Sequence, residues 1–165
     1  MTTHPFDVLS LANKAKFIFT ACPGTKGCSL TEAFDTLVEA GADAVITLLA
    51  DKELQALSLT SFSNEASKYS FNWYQLPIDD DAEPDERFAL AWQKNKSELL
   101  RLVQDNKTIV IHCRGGTGRT GLVAAMLLLE SGQTWPEVKS QIQSIRAKAL
   151  TLPAHLRYLN KHYSI

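Results

Sequence analysis

The sequence predicts an α/β domain whose central sheet contains parallel strands. Two apolar runs rich in β-branched residues, 44–49 and 108–111, are each typical of a buried strand. Helix-forming segments precede and follow these runs, and this alternation is typical of sheets with parallel strands. The chain has 165 residues, and we expect residues 1–165 to form a single domain with a sizeable core.

A capping box gives the strongest helix signal in the N-terminal half. Ser29 and Glu32 have the spacing of this motif, so we expect a helix over about 30–40. Gly41 can adopt the left-handed backbone conformation that ends a helix. The strand over 44–49 follows directly, which gives the order helix, glycine, strand.

The remaining elements carry weaker individual signals. In the N-terminal half they are an undefined polar start over 1–16, a strand over 17–19, a short helix capped by Asp51 and running to 57, one or two helical turns over 65–69, and a strand over 71–76. In the C-terminal half they are helices over 85–104 and 119–131, a strand over 108–112, a helix from a second capping box at Thr134 and Glu137 to about 147, and a last helix over 153–161. Helices and strands thus alternate along most of the chain.

The composition is that of an ordinary globular protein. Hydrophobic residues make up 45% of the chain, charged residues 21%, and the formal net charge is -1. This balance favours no nucleic-acid partner. The longest apolar run, 122–129, is too short to cross a bilayer, so we expect no membrane insertion. No secretory signal is evident, and we expect a cytoplasmic protein.

The three cysteines, Cys22, Cys28 and Cys113, do not make a disulfide framework. Cys22 and Cys28 lack Cys-x-x-Cys spacing and have no histidine cluster nearby. A structural loop is therefore favoured for these two, and a metal or redox role stays open. Cys113 instead lies in a glycine-rich segment, and this sequence context suggests a catalytic role.

A glycine-rich segment lies between the strand over 108–111 and the helix that follows. It consists of His112, Cys113, Arg114, Gly115, Gly116, Thr117, Gly118, Arg119 and Thr120. Its glycines let the backbone curl tightly, and a curled loop at a helix N-terminus directs several N–H groups and the helix dipole at one point. Residues 114–119 are therefore predicted to bind a phosphate-like anion.

Two side chains of this segment would carry the chemistry. Arg119 presents a planar fork that fits two oxygens of a phosphate. Cys113 would lie beneath the bound anion, where the positive field favours the reactive thiolate. The plain alternative is a buried cysteine at a strand end and an arginine that pairs with some carboxylate. That alternative leaves the glycines and the hydroxyl of Thr120 without a use.

Cleavage of a phosphate ester also needs an acid that protonates the leaving oxygen. The loop over 77–84 follows a strand expected to lie beside the central one, and active sites of α/β sheets lie at the carboxyl ends of strands. The loop contains four carboxylates, of which Asp81 and Glu83 are expected to be solvated or to favour the start of the next helix. Asp79 and Asp80 remain as candidates for the acid.

Residues 112–120 resemble the signature of the cysteine-dependent protein tyrosine and dual-specificity phosphatases. Within this superfamily, the double glycine resembles the loop of the kinase-associated phosphatase group. The resemblance extends over about residues 17–163 and implies a compact α/β phosphatase fold. In that fold, helices cover both faces of a mainly parallel sheet of four or five strands. The segment over 151–155 follows the group only loosely, and the resemblance implies no kinase partner.

The same resemblance implies roles for single residues. The spacing of Pro77, Asp80 and Pro84 matches the acid loop of several compact members, which implies that Asp80 is the acid and leaves Asp79 as the alternative. Related enzymes have a glutamine in the C-terminal segment that helps to position water. His155 is the candidate counterpart here, unless the chain has none.

Residues and resemblance together predict a phosphomonoester hydrolase that acts on phosphotyrosine, and also on phosphoserine or phosphothreonine, of proteins. Cys113 would form a phosphocysteine, and Asp80 would act first as acid and then as base. Arg119 and the backbone N–H groups would stabilise the charge on the phosphate. Thr120 would donate a hydrogen bond to the sulfur, and His112 would order the loop through the backbone. No metal or cofactor is required.

Three other functions compete with this prediction. Phosphoinositide or inositol phosphate phosphatases often carry two basic residues between the cysteine and the arginine, whereas this loop has Arg114 and, at the place of a second, Thr117. A non-catalytic module that binds phosphoproteins would lack the nucleophile, the arginine or the acid, and all three have candidates. A sulfur-transfer enzyme of the rhodanese type has no evident use for Thr120 or for the acidic loop.

Overall fold

A five-stranded sheet forms the centre of the computed structural model, which describes residues 3–165. Its strands are β1 (Asp7–Ser10), β2 (Lys16–Thr20), β3 (Ala44–Thr47), β4 (Asn72–Gln75) and β5 (Thr108–His112). They lie in the order β1-β2-β5-β3-β4; β1 is antiparallel to β2, and every other neighbouring pair is parallel. The predicted α/β class with a mainly parallel sheet is confirmed, and the sheet has five strands.

Seven helices within the described residues cover the two faces of this sheet. They are α1 (Leu30–Glu39), α2 (Asp51–Ala56), α3 (Phe62–Ala66), α4 (Glu86–Gln104), α5 (Gly118–Glu130), α6 (Trp135–Ile145) and α7 (Pro153–Tyr163). The first three pack on one face and the last four on the other. The predicted placement of helices on both faces is confirmed.

The central strand β5 shows how the sequence builds a core on each face. All five of its residues are buried. Because successive side chains of a strand point to opposite faces, Ile109 and Ile111 join the core under α4–α7, and Val110 joins the core under α1–α3. His112 continues the alternation, and its ring lies 5.5 Å from that of Phe62 in α3. The strand therefore delivers the glycine-rich segment to the edge of the sheet in a fixed orientation.

Strand β1 is the main element that the sequence did not predict. Its residues 7–10 fall in the polar start over 1–16, of which residues 1 and 2 lie outside the described part of the chain. Val8 lies opposite Ile18 in the antiparallel pair with β2, and three of the four β1 residues are exposed. An edge strand of this kind is held by pairing with its neighbour, so its own residues carry little strand signal.

Two helices of the N-terminal half differ from their predicted positions. Asp51 is predicted to cap α2, but Ala50 is the N-cap and Asp51 is the first helical residue. The helical turns predicted over 65–69 lie three residues earlier, in α3. The reason is burial, because Phe62 and Ala66 are both packed into the core. The remaining boundaries lie within two residues of the predicted ones.

The two predicted capping boxes have different outcomes. Ser29 and Glu32 make both reciprocal hydrogen bonds at the start of α1. Thr134 instead donates its hydroxyl to the Glu137 carboxylate at 2.7 Å and makes no bond to the backbone of α6, so the second box does not form. Pro136 lies in the first turn of α6, where its fixed φ suits a helix start. The helix consequently begins where it was predicted.

The parallel strands β2, β3, β4 and β5 place their C-terminal ends at one edge of the sheet, which is where ligands bind in open α/β sheets. The segments that leave these four strands are consequently the ones that can form a site.

No helix in residues 3–165 combines the length and the apolar character that crossing a bilayer requires.

Candidate active site

Segments that follow the four parallel strands converge, together with the start of α7, on one cavity of about 710 Å³. The lining residues are Gly24, Thr25, Lys26, Leu57, Asp80, Asp81, Cys113, Arg114, Gly115, Thr117, Gly118, Arg119 and His155. The structure therefore brings most of the site residues predicted from the sequence to a single cavity.

The loop over 113–117, which we call the phosphate-binding loop, has backbone carbonyls that are paired with donors of the surrounding protein. The Arg114 carbonyl accepts the N–H of Cys22 at 3.0 Å, and the Thr117 carbonyl accepts the N–H of Gly121 at 2.9 Å. With its carbonyls occupied on the outer side, the curled backbone keeps N–H groups for an anion.

Gly116 is the loop position at which only glycine fits. Its φ is +80°, and a Cβ there would lie 2.5 Å from the backbone of Thr20. A Cβ at Gly115 would meet nothing within 4 Å, and one at Gly118 would lie 3.7 Å from the ring of His155. The double glycine of the motif thus contains one position fixed by close packing and one that is not.

Cys113 follows β5 directly, and only 3% of the residue is exposed. Its sulfur accepts the N–H of Gly116 at 3.2 Å and the hydroxyl of Thr120 at 3.3 Å. The N-terminus of α5, which begins at Gly118, adds a positive field at the same point. Two hydrogen-bond donors and the helix N-terminus thus all place partial positive charge beside the sulfur.

His112 fixes the junction between β5 and the phosphate-binding loop. Burial lowers the pKa of His112 to about 3, so its ring is neutral near pH 7. The ring Nδ1 lies 3.2 Å from the Cys113 carbonyl and donates to it. Nε2 accepts the Thr47 hydroxyl at 2.7 Å, and that hydroxyl in turn accepts the indole N–H of Trp73 at 2.8 Å. His112 thereby orders the loop through its backbone.

Arg119 is held by a residue that sequence reasoning missed. The arginine side chain is 2% exposed, and its Nη1 and Nη2 donate to the two Glu53 oxygens at 2.7 and 2.9 Å. Nη1 also donates to the Ile78 carbonyl at 2.9 Å. Burial opposes the charge, but the hydrogen bonds to Glu53 and the negative charges that Cys113, Glu53 and Asp80 can carry hold the pKa of Arg119 above its ordinary value. Glu53 lies in α2, 66 positions before Arg119. The only hint of such a partner in the sequence is the general rule that a buried arginine needs a carboxylate.

The opposite edge of the Arg119 guanidinium is open to a ligand. Its Nε is buried and has no hydrogen-bond partner among the described residues. Its Nη2 also lies 3.3 Å from Oδ1 of Asp80, which lines the cavity. An unpaired buried N–H costs free energy. Two phosphate oxygens across Nε and Nη2 would satisfy this edge while Glu53 holds the other.

Asp79 and Asp80 differ in their partners. Asp79 pairs with Arg87 at 2.9 Å on the surface. Asp80 lines the cavity and faces Arg119, although its side chain is 59% exposed. Asp81, predicted to be merely solvated, also lines the cavity, and its backbone has a φ of +58°. The geometry thus brings Asp80, and not Asp79, next to the place where a phosphate would bind.

His155 reaches the cavity from the first turn of α7. The residue is 1% exposed, and neither of its ring nitrogens has a hydrogen-bond partner in the part of the chain that the structure describes. Burial lowers the pKa of His155 below its ordinary value, which favours the neutral ring. A neutral imidazole with one donor and one acceptor can hold a water molecule or a polar group of a substrate.

Two further cations line the cavity. Lys26 comes from the segment after β2, and Arg114 comes from the phosphate-binding loop. Neither forms an ion pair with another residue of 3–165. They are consequently available to an anionic substrate.

The cysteines outside the loop have different surroundings. All three cysteines of the chain are free thiols. Cys22 is fully buried in the core under α1–α3, and burial raises its pKa to about 12. Its thiol is therefore kept in the less reactive neutral form. Within residues 3–165, no group of three or more His, Cys, Asp or Glu side chains is arranged to hold a metal ion.

Known proteins match this chain over most of its length. Residues 22–162 match a family model described as PTP-SAK, a Swiss Army Knife protein with a DSP-PTPase phosphatase domain. Cyclin-dependent kinase inhibitor 3 of Rattus norvegicus is 29% identical over 126 residues, which are 73% of this chain and 58% of that protein. The Sus scrofa protein of the same name is 29% identical over 131 residues, 76% of this chain and 60% of that one. The chain thus spans about three fifths of the length of these relatives.

Solved structures share the fold. Kinase associated phosphatase (KAP), crystallised with its catalytic-site cysteine replaced by serine, gives a TM-score of 0.84 at 21% identity, covering 98% of this chain and 94% of that one. PTPMT1 in complex with PI(5)P gives a TM-score of 0.68 at 20% identity, with 92% and 91% covered. Tk-PTP in its active form gives 0.63 at 25% identity, with 90% and 91% covered.

The family model covers the sheet from the end of β2 onward, the phosphate-binding loop and nearly all of the helices. Its match agrees with the cavity geometry and with the sequence signature over 112–120. The relatives named cyclin-dependent kinase inhibitor 3 and the KAP structure agree with the group predicted from the double glycine. On these grounds the chain belongs to the DSP-PTPase family of cysteine-dependent phosphatases.

Proposed function

We propose that this chain hydrolyses phosphomonoesters through a phosphocysteine intermediate. The observation that carries the proposal is the meeting of three groups in one cavity: the Cys113 sulfur, the open edge of the Arg119 guanidinium and the Asp80 carboxyl group. They supply a nucleophile, a clamp for the phosphate and a proton donor, which are the groups that this reaction needs.

In the first step, the Cys113 thiolate attacks phosphorus in line with the leaving oxygen. The S–P bond forms as the bond from phosphorus to the leaving oxygen breaks. Backbone N–H groups of the phosphate-binding loop and Arg119, aligned by Glu53, stabilise the charge on the three remaining oxygens. Protonated Asp80 gives its proton to the leaving oxygen.

In the second step, a water molecule attacks phosphorus and the S–P bond breaks. Asp80, now a carboxylate, takes the proton from this water, and the Thr120 hydroxyl stabilises the departing thiolate through its hydrogen bond. We assign His155 the role of holding the water, because its neutral ring lines the cavity and has both nitrogens free.

Phosphorylated proteins are the substrates that we propose, at tyrosine and also at serine or threonine. The relatives named cyclin-dependent kinase inhibitor 3 and kinase associated phosphatase support a protein substrate. No phenylalanine, tyrosine or tryptophan side chain within residues 3–165 lines the cavity, so none of these rings is in place to pack on a phenyl ring and select for it. A reactive thiolate needs reducing surroundings, and we therefore place the protein in the cytoplasm.

A phosphoinositide or inositol phosphate is the second candidate substrate. PTPMT1, which shares the fold, has been solved in complex with PI(5)P. Lys26 and Arg114 line the cavity without ion-pair partners among the described residues, and two cations beside a phosphate site suit a substrate with a second phosphate. Lys26 thus offers a second positive charge that the loop lacks at Thr117.

A substrate panel tests the proposal. Phosphate release is measured from p-nitrophenyl phosphate, from one peptide phosphorylated in turn on Tyr, Thr or Ser, and from short-chain phosphoinositides, with Cys113→Ser as the inactive control. We expect the wild-type protein to dephosphorylate the phosphotyrosine and phosphothreonine peptides. Faster release from the lipids would transfer the proposal to the second substrate class. Binding of phosphopeptides without any release would identify a binding module and overturn the enzymatic proposal.

A further inference from the structure

Arg146 follows the last residue of α6 and reaches three other elements at once. Its Nε donates to the carbonyl of Gly116 at 2.9 Å, and its Nη2 donates to the carbonyl of Phe19 at 3.2 Å. Its Nη1 pairs with the carboxylate of Asp7 at 2.6 Å. The side chain is only 18% exposed. One guanidinium therefore joins the phosphate-binding loop to β2 and β1.

The carbonyl of Gly116 controls the direction of a neighbouring N–H group. A peptide bond is planar and trans, so the Gly116 C=O and the Thr117 N–H point in opposite directions. Arg146 holds this carbonyl on the outer side of the loop. The Thr117 N–H is thereby directed at the cavity that Thr117 lines.

Gly116 is also the position at which this peptide could turn over. The peptide between Gly116 and Thr117 turns over by rotation about ψ of Gly116 and φ of Thr117, and the missing Cβ of Gly116 removes a steric barrier to the first rotation. Gly116 must stay a glycine because it lies against Thr20, with no room for a Cβ. Without Arg146, the carbonyls of Gly116 and Phe19 would both lose a charged donor and would repel each other. The N-cap of α5 offers no side-chain hydrogen bond that could replace this restraint, because Thr117 makes none.

We propose that Arg146 is a positioning residue that keeps the Thr117 N–H directed at the substrate phosphate, with Asp7 orienting the guanidinium. This inference rests on the proposed function, because it concerns the anion site of that reaction. Strand β1 then contributes to phosphate affinity without touching the substrate. Asp7 supplies this contribution from an exposed position, since 59% of its side chain is exposed.

Binding of tungstate, a phosphate analogue, tests the proposal separately from turnover. Calorimetry on Arg146→Ala should show affinity at least about tenfold weaker than wild type, the loss expected for one charge-assisted hydrogen bond. The KM for p-nitrophenyl phosphate should rise by a similar factor, with a smaller change in kcat. Millimolar guanidinium ion should restore binding, because the space left by the side chain opens to solvent. Asp7→Asn should have a smaller effect of the same kind.

Arg101→Ala is the matched control, because Arg101 is an exposed arginine on α4 that contacts none of these groups. It should bind tungstate as wild type does and should not respond to guanidinium. If Arg146→Ala does not fold, Arg146→Lys decides, since it keeps the charge but loses the planar fork whose three nitrogens reach three acceptors at once; wild-type affinity in that variant contradicts the proposal. Unchanged tungstate affinity in Arg146→Ala also overturns it. Wild-type protein that binds tungstate tightly but hydrolyses no phosphate ester contradicts the proposed function instead.

Discussion

The phosphate-binding loop and the acidic loop over 77–84 line the same cavity but are held in opposite ways. In the first, and at the start of α5 that follows it, Cys113 and Arg119 are 3% and 2% exposed, and hydrogen bonds from neighbouring groups hold the sulfur and the guanidinium. In the second, the side chains of Asp79 and Asp80 are 64% and 59% exposed, and each makes one ion pair, Asp79 with the exposed Arg87 and Asp80 with the buried Arg119. One side of the site is rigid before the substrate arrives, whereas the other can adjust to it.

This difference separates two tasks. A rigid, buried anion site supplies affinity and charge stabilisation without reorganisation during the reaction. A proton donor on an exposed loop serves leaving groups of different shape, which suits an enzyme that accepts more than one phosphorylated residue. Substitutions on the rigid side should therefore affect all substrates, and those on the exposed side should affect substrates according to their leaving group.

Cys113→Ser tests the rigid side and should have the largest effect on activity. We expect turnover of every substrate to fall by at least about 10⁴-fold, the scale on which loss of a catalytic nucleophile acts. Tungstate binding should persist, because the backbone and Arg119 remain in place. Activity is followed by phosphate release and binding by calorimetry. Turnover near the wild-type rate would show that the nucleophile lies elsewhere.

Asp80→Asn tests the exposed side and should depend on the leaving group. With phenyl phosphate, whose leaving oxygen needs a proton, we expect kcat to fall by about 10²-fold or more. With 2,4-dinitrophenyl phosphate, whose leaving oxygen needs none, the first step should change little. Asp79→Asn is the matched control and should stay near wild type, because Asp79 pairs with Arg87 at the surface. The reverse result would assign the acid role to Asp79.

Glu53→Gln tests the support behind Arg119. This substitution removes the negative charge from the bidentate ion pair of Glu53 with Arg119. The KM of every substrate should rise by about tenfold, and the free energy of unfolding should fall by about 2 kcal/mol, as for other charge-assisted hydrogen bonds. Urea titration and steady-state kinetics measure the two effects. Asp51→Asn, the same change at an exposed position of α2, is the control. An increase confined to one substrate would contradict a role in the rigid side.

The last test concerns the pH dependence of stability that His112 causes, which leaves activity near pH 7 unchanged. Its pKa is lowered from 6.5 to about 3 in the folded protein, so the unfolded chain binds a proton that the folded protein does not. This contribution is complete above pH 6.5 and is lost as the pH falls toward 3, by up to about 1.4 kcal/mol per pH unit. Urea unfolding at pH 7 and pH 5 measures the slope. His112→Asn should have a shallower slope, and an equal slope would exclude His112 as its source.

The sequence alone was sufficient to predict those features whose determining residues lie close together along the chain. Strand β5, the phosphate-binding loop and α5 are contiguous, so the β-branched run, the glycines and the spacing of Cys113 and Arg119 lie within a few residues of one another. The same holds for the capping box at Ser29, where both partners belong to one helical turn. Local physical chemistry decides these features, and the structure matches the prediction there.

Sequence was insufficient where the partners are distant. Glu53 supports Arg119 from 66 positions away, and Arg146 reaches Asp7 across 139 positions. Neither pair forms a recognisable sequence motif, because its two residues come into contact only once the sheet has formed. Strand β1 and the shift of α3 have the same origin, since pairing with β2 and burial of Phe62 outweigh local propensity.

The central claim is that Cys113 carries the phosphoryl group during turnover. Rapid acid quenching of the wild-type protein during hydrolysis of p-nitrophenyl phosphate, followed by mass spectrometry of its peptides, tests this directly. We predict that a phosphoryl group is found on the peptide containing Cys113, that it forms as fast as p-nitrophenol is released, and that it is absent from Cys113→Ser. Full turnover with no phosphorylated peptide, or with the phosphoryl group on a different residue, would contradict the account.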